Sequence, residues 1–171
     1  MEDIKKAVRD VPDFPKKGII FKDITTVLKD AALFKKLIDV FVEKYKNKDI
    51  KYVIGIEARG FIIGSALAYK LGAGFVPVRK KGKLPAETIQ AEYELEYGTD
   101  IIEMHKDALK EGDNVLVIDD LLATGGTLNA ACSLVDKLKG NIVAVACVIE
   151  LSFLNGREKL KGRNIFSLIQ Y

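Results

Sequence analysis

Asp119 and Asp120 stand side by side after four apolar residues, Val115-Leu116-Val117-Ile118, and ahead of the small, glycine-rich run Ala123-Thr124-Gly125-Gly126-Thr127. Paired carboxylates suit a ligand with neighbouring hydroxyls. Small side chains, two glycines and two hydroxyls at a helix start let successive backbone N–H groups converge on an anion. The apolar run reads as a strand buried on both faces of a parallel sheet, with the acids at its carboxyl end, where open α/β sheets bind ligands. Together these features describe a ligand whose ribose hydroxyls lie close to a phosphomonoester. The bland alternative is a strand-turn-helix with two solvated acids. Other phosphate motifs do not fit: 55–60 has Walker-like glycine spacing, but Phe61 stands where the lysine belongs, and no G-x-G-x-x-G opens a helix.

Two further constellations carry charge. Ile56-Glu57-Ala58-Arg59-Gly60-Phe61 places an acid, a base and a glycine between a strand and a helix, which is either an anion site or a surface ion pair beside a helix cap. Pro77-Val78-Arg79-Lys80-Lys81-Gly82-Lys83-Leu84-Pro85 sets four cations on a loop after a strand. Lys81 reads as part of a solvated face, and the only histidine, His105, as a surface residue without a partner acid at motif spacing.

The elements that must position these groups follow from periodicity. A helix is expected at Asp3 to Arg9. The proline- and glycine-punctuated stretch from Val11 to Gly18 reads as a loop. A long amphipathic helix carries Leu33, Phe34, Leu37, Ile38, Phe41, Val42 and Tyr45 on one face. Strand-helix units follow: a strand from Tyr52 to Ile56, a helix from Phe61 to Leu71, a strand from Phe75 to Val78, the strand Val115 to Ile118 and a helix from Leu128 to Leu138. Ile142 to Ile149 is a further buried strand and Ile165 to Ile169 an edge strand. Between these units, 89–104 alternates apolar and acidic residues around Gly98. That pattern is a β-hairpin, and its tip, Leu95-Glu96-Tyr97-Gly98, is a candidate mobile lid. The order predicts an α/β fold with a mostly parallel central sheet flanked by helices, a β-hairpin flap and a small N-terminal hood over 1–30.

Composition bounds the rest. The chain has 171 residues, 49% hydrophobic and 30% charged, as expected of one soluble globular domain. A net charge of +3, without a long basic tract or an aromatic-basic stripe, gives no case for nucleic acid. Cys132 and Cys147 lack metal-ligand spacing and read as buried free thiols. The N-terminus has no apolar h-region, and the apolar stretch from Phe61 to Val78 is broken by Lys70, Gly72 and Gly74. No signal peptide and no membrane span are therefore expected, which places the chain in the cytoplasm.

The run from Val115 to Thr127 resembles the signature of the type I phosphoribosyltransferases, which act on 5-phosphoribosyl-1-pyrophosphate (PRPP). The resemblance implies that Asp119 and Asp120 hold the ribose hydroxyls and that Ala123, Thr124, Gly125, Gly126 and Thr127 hold the 5-phosphate. It implies a pyrophosphate loop at Glu57 and Ala58, with a non-proline cis peptide between them, and pyrophosphate contacts from Arg79, Lys80 and Lys83, partly across a homodimer interface.

Three segments are similar to the adenine-specific branch of that family. They are Asp13-Phe14-Pro15 with Gly18-Ile19-Ile20-Phe21-Lys22-Asp23-Ile24-Thr25, the tip Leu95-Glu96-Tyr97-Gly98, and Glu150-Leu151 with Gly156-Arg157-Glu158-Lys159-Leu160. On that resemblance Phe21 and Leu151 sandwich adenine, the Ile20 carbonyl accepts from its exocyclic amine, and Arg59 reaches the ring edge as a catalytic residue. Tyr97 binds substrate, and Glu96 manages a proton on the imidazole side of the base. Lys22 stands where the family commonly has arginine, so it keeps the charge and loses the planar fork. The implied products are AMP and pyrophosphate, with magnesium carried mainly on PRPP and pyrophosphate oxygens. The rivals are a phosphoribosyltransferase for hypoxanthine/guanine, xanthine, orotate or uracil, and a non-catalytic PRPP-sensing regulator.

Overall fold

In the computed structural model the described residues are 1–94 and 98–171. They divide into two compact units, Met1–Lys44 and Tyr45–Tyr171, so the N-terminal unit runs past the expected hood boundary at residue 30 and takes in most of the long helix.

The N-terminal unit opens with helix α1 (Glu2–Ala7). A two-stranded antiparallel sheet follows, β1 (Arg9–Pro12) and β2 (Ile20–Asp23). The sequence reading missed this hairpin, because Pro12 and Gly18 look like punctuation. Pro12 sits at the strand end, where a missing N–H is tolerated, and Gly18 has φ +88°. Two cross-strand ion pairs fix the register. Arg9 lies opposite Asp23 and donates to it through Nε at 3.1 Å, while Lys22, opposite Asp10, gives it its ammonium at 2.7 Å. Helix α2 (Thr25–Leu28) comes next, and α3 (Ala31–Tyr45) realises the amphipathic helix with Leu37, Ile38 and Phe41 buried.

The larger unit is built on a seven-stranded sheet, ordered β5-β6-β4-β3-β7-β8-β9. Strands β3 (Tyr52–Ile56), β4 (Gly74–Lys80), β7 (Asn114–Leu122), β8 (Asn141–Glu150) and β9 (Ile165–Gln170) pair in parallel. The hairpin β5 (Thr88–Glu94) and β6 (Thr99–His105) adds antiparallel to one edge, joined through Arg79 opposite Glu103 and Lys80 opposite Ile102. Helices α4 (Arg59–Leu71) and α5 (Gly126–Lys137) follow β3 and β7. The fold class expected from the sequence is the one found.

Val53, Ile54, Leu116, Val117, Ile118, Val145 and Cys147 are fully buried, as near-continuous apolar strands of a two-sided parallel sheet must be. Strand β7 runs four residues beyond Ile118, so both acids lie inside its second half rather than after it. Two other positions depart from expectation. His105 is half-buried, with its Nε2 shielded from solvent and unpartnered among the described residues. The hairpin is better anchored than alternation suggested, since Ala91, Ile102 and Met104 are buried in the core.

Candidate functional site

A cleft of about 310 Å³ opens at the carboxyl ends of β3 and β7. It gathers Glu57, Ala58, Arg59, Asp119, Asp120 and the turn Ala123, Thr124, Gly125, Gly126 and Thr127, together with Tyr93, Leu121 and Leu128. The polar groups converge here because each ends or follows a central parallel strand, where backbone pairing stops.

The acid pair is deeply set, with Asp119 and Asp120 only 9% and 6% exposed. Burial, reinforced by the neighbouring Asp120 charge, pushes the Asp119 carboxyl well above the ordinary range. Asp119 Oδ1 accepts the Asp120 backbone N–H at 2.9 Å, and Asp120 Oδ2 takes the Arg59 Nε–H at 2.5 Å. Arg59 thus meets the acid pair through Asp120. Gly60 lets α4 come this close: a Cβ there would lie 3.0 Å from Asp119 Oδ1 and 3.1 Å from the Ile118 carbonyl.

The Glu57–Ala58 peptide is cis, as the resemblance implies. Burial alone would raise the Glu57 carboxyl. The Arg79 guanidinium and the Lys80 backbone N–H, at 3.0 and 3.1 Å, hold it below its ordinary value instead. Arg79 also donates to the Lys83 carbonyl at 3.2 Å, which bends the basic loop back on itself. Buried Glu103 caps that loop by accepting the Gly82 and Leu84 N–H groups at 3.0 and 3.2 Å. Lys80 pairs with Asp100 at 2.9 Å. Arg79 and Lys80 are thus the last residues of β4 rather than loop residues, because pairing with β6 extends the strand, and only Lys81 and Lys83 lie on the braced loop that follows; none of the four lines the cleft.

The turn from Ala123 to Thr127 needs its glycines for two reasons. Gly125 has φ +80°, a left-handed conformation costly to other residues. It also meets Gly156, in the 3-10 turn Gly156–Leu160, backbone to backbone. The turn is held by Glu150, which closes β8 and receives Arg157 Nε and Nη2, each at 2.7 Å. The Arg157 pairing lowers the Glu150 carboxyl.

Each of the three adjacent strands β3, β7 and β8 thus ends in or near a carboxylate matched by one arginine: Glu57 with Arg79, Asp120 with Arg59, and Glu150 with Arg157. Leu151 follows Glu150 and donates its N–H to the Leu122 carbonyl at 2.9 Å, without lining the cleft. Ile20, Phe21 and Lys22 belong to the N-terminal unit, where Phe21 packs edge-on against Phe14 at 5.3 Å. Glu96 and Tyr97 lie outside the described residues.

Sequence reasoning missed Tyr93, Glu103 and the structural part played by Gly156. Tyr93 could have been found from its place on the inward side of the hairpin. The other two act through contacts distant in sequence.

A mostly parallel sheet with a buried acid pair near the end of one strand and a glycine turn directly after it is the architecture of a sugar-phosphate-binding α/β domain. Residues 23–165 match the family model of the phosphoribosyl transferase domain, and the chain belongs to that family. Among curated relatives, an adenine phosphoribosyltransferase of Geotalea daltonii is 58% identical over 171 residues, covering 100% of both chains. The crystal structure of adenine phosphoribosyltransferase from Thermoanaerobacter pseudethanolicus superposes with a TM-score of 0.97 at 55% identity, covering 99% of each chain. The Saccharomyces cerevisiae enzyme, crystallised with adenine and an iminoaltritol bisphosphate, gives 0.94 at 45% identity, over 98% of this chain and 97% of that one.

Proposed function

We propose that this chain transfers the phosphoribosyl group of PRPP to N9 of adenine, forming AMP and releasing pyrophosphate in purine salvage. The observation that carries this reading is the cleft itself. The acid pair of β7, the phosphate turn and the Glu57–Arg59 loop open onto one space, in a chain alike over its full length to adenine phosphoribosyltransferases.

Asp119 and Asp120 hold the ribose 2- and 3-hydroxyls, and Ala123 to Thr127 hold the 5-phosphate. The Glu57–Ala58 loop, Arg79, Lys80 and Lys83 face pyrophosphate, where preorganised cations stabilise charge that grows as the leaving group departs. The anomeric carbon becomes planar and positive as at a glycosidic centre, so catalysis is mainly positioning and charge placement. Magnesium fits this donor set, because Asp119 and Asp120 offer hard carboxylate oxygens beside the place where the ribose hydroxyls would lie. When bound with PRPP it supplies neutralising charge to the departing pyrophosphate.

Ile20, Phe21 and Lys22 in the N-terminal unit and Leu151 in the larger one are assigned to the base on the family resemblance. A backbone carbonyl at Ile20 suits adenine, whose amine donates, and disfavours an oxo-purine, whose oxygen would leave that carbonyl unpaired. Arg59 and Glu96 are assigned to the chemistry, Tyr97 to substrate. Glu96→Gln should lower turnover, and unchanged turnover would remove that role. The working form is a homodimer in the cytoplasm. No helix among the described residues is long and apolar enough to cross a membrane.

The test is incubation with magnesium and PRPP against adenine, hypoxanthine, guanine, xanthine, orotate and uracil, measuring nucleotide and pyrophosphate. AMP from adenine alone is expected. A different nucleotide overturns the base assignment, and PRPP binding without product overturns the catalytic reading in favour of a sensor.

A further inference from the structure

At 2% exposure Glu103 is more deeply buried than either member of the acid pair. It stands between buried Ile102 and Met104 on β6, where a carboxylate is costly unless its oxygens are hydrogen-bonded. Among the described residues its partners are three neutral donors. Oε1 accepts the Gly82 and Leu84 N–H groups at 3.0 and 3.2 Å, and Oε2 accepts the Thr88 hydroxyl at 3.2 Å. The register explains the reach, because Glu103 lies opposite Arg79 near the end of β4, just before the chain turns.

The residue between Gly82 and Leu84 is Lys83, and both peptide units that flank it are held. Its N–H donates to the Lys80 carbonyl at 3.2 Å, closing a four-residue turn in which Gly82, at the third position, has φ +80°. Its carbonyl accepts Arg79 Nη1 at 3.2 Å, while the Leu84 N–H of the same peptide unit rests on Glu103. Arg79 Nε is on Glu57 Oε2 at 3.0 Å, so one guanidinium ties Lys83 to the Glu57–Ala58 loop. The charged groups of Arg79 and Lys80 are engaged by Glu57 and Asp100. Lys83 is the reverse case, with a fixed backbone and an exposed side chain.

We propose that Glu103 is a positioning residue, which fixes the loop backbone so that the Lys83 ammonium stands ready for pyrophosphate before it arrives. This rests on the phosphoribosyltransferase reading and gives a group that touches no substrate a share in binding one. The physical basis is entropy. A loop ordered by its own chain surrenders its freedom on folding, and binding then costs less. What matters is the reach of the Glu103 oxygen to two N–H groups. Its charge, taken alone, opposes an incoming anion.

Reach and charge separate in two substitutions that each keep a polar group in place. Glu103→Asp keeps the charge and withdraws the oxygens by one methylene. Glu103→Gln keeps the reach, since its carbonyl can accept both N–H groups, and gives up the charge. The test is calorimetric titration of pyrophosphate in magnesium, with ribose 5-phosphate as the control ligand, on both variants in the parent and in a Lys83→Ala background. Glu103→Asp should weaken pyrophosphate about fivefold, within the coupling range of residues sharing one hydrogen-bond network, and Glu103→Gln should stay within about twofold of the parent. Ribose 5-phosphate should bind all of them alike, and in Lys83→Ala the effect of Glu103→Asp on pyrophosphate should vanish. A purely structural brace would instead weaken both ligands, or lose the same factor with and without Lys83, and either result overturns the proposal. So does an equal loss in Glu103→Gln, which would make charge the operative property. These failures leave the family reading standing, whereas a parent that binds neither ligand brings down both.

Discussion

The carbonyl oxygen of Gly156 lies 2.2 Å from where a Cβ on Gly125 would be, and a Cβ on Gly156 would lie 2.2 Å from the Ala123 carbonyl oxygen. The turn from Ala123 to Thr127 therefore keeps its shape because two glycines distant in sequence face each other with no side chain between them. Neither neighbour can give way, since the opposing atoms are backbone. Gly156→Ala should cost about 1–3 kcal/mol of stability and weaken AMP binding about tenfold or more, which corresponds to roughly 1.4 kcal/mol. Urea unfolding and calorimetry check this. Unchanged AMP affinity would mean that the turn tolerates displacement.

Asp120 is assigned to hydroxyls and the turn to phosphate, so one substitution should separate them. Asp120→Asn removes a charge-assisted hydrogen bond worth about 1.5–3 kcal/mol. Ribose 5-phosphate should bind at least about tenfold more weakly, while inorganic phosphate, which has no ribose hydroxyls, binds as before. An equal loss for both ligands would make Asp120 a structural residue held by Arg59 rather than a ligand contact.

The N-terminal hairpin should be acid-labile through Asp23. Burial alone would raise this carboxyl, but the Thr25 N–H and hydroxyl and the Arg9 guanidinium together hold it at about 2. A depressed carboxylate stabilises the fold above its unfolded value of about 3.9, and the contribution is lost as pH falls from there toward the folded value. Because Arg9 is largely solvent-exposed, screening limits the effect to about 1–2 kcal/mol. Denaturant unfolding between pH 5 and pH 2.5 should show that loss in the parent and little of it in Asp23→Asn. A parallel pH profile in the two proteins would contradict the assignment.

Cys132 and Cys147 should be chemically silent in the folded protein. Both are fully buried. Burial pushes the Cys132 thiol up to about 11 and the Cys147 thiol higher still, so almost no thiolate exists at pH 8. A thiol-disulfide reagent should label neither at pH 8 until denaturant is added, and then both. Rapid labelling of the folded protein would show that the sheet opens far more readily than its packing suggests.

Much of this was legible in the sequence, for local reasons. Tyr52–Ile56 has the expected bounds because a fully buried parallel strand is a continuous apolar run with a charged residue on either side. The acid pair and the turn could be read because their chemistry is contiguous along the chain. Strand ends were less legible: β7 continues through Asp119 and Asp120, since pairing with β8 satisfies a backbone whose side chains look like loop residues. The strands β1 and β2 were hidden by proline and glycine, and only the Arg9–Asp23 and Lys22–Asp10 pairings disclose their register. Tyr93 looked like one more alternating hairpin residue, and Glu103 like an outward acid. What fixes their places is the turn at Gly126, against which the Tyr93 ring lies, in one case and the folded-back loop 82–84 in the other.

The three arginine-matched carboxylates at the ends of β3, β7 and β8 bear on how a ligand finds this site. Glu57, Asp120 and Glu150 cancel against Arg79, Arg59 and Arg157 pair by pair, so beyond a few ångströms these six groups cast almost no field. On a chain with a net charge of only +3, a multiply charged substrate is not drawn in from afar. On the proposed reading it is recognised when contact lets its hydroxyls and phosphates exchange partners with ion pairs already in place. Association should consequently respond only weakly to ionic strength across the physiological range, and the many other phosphorylated metabolites of a cell gain no general attraction to the cleft.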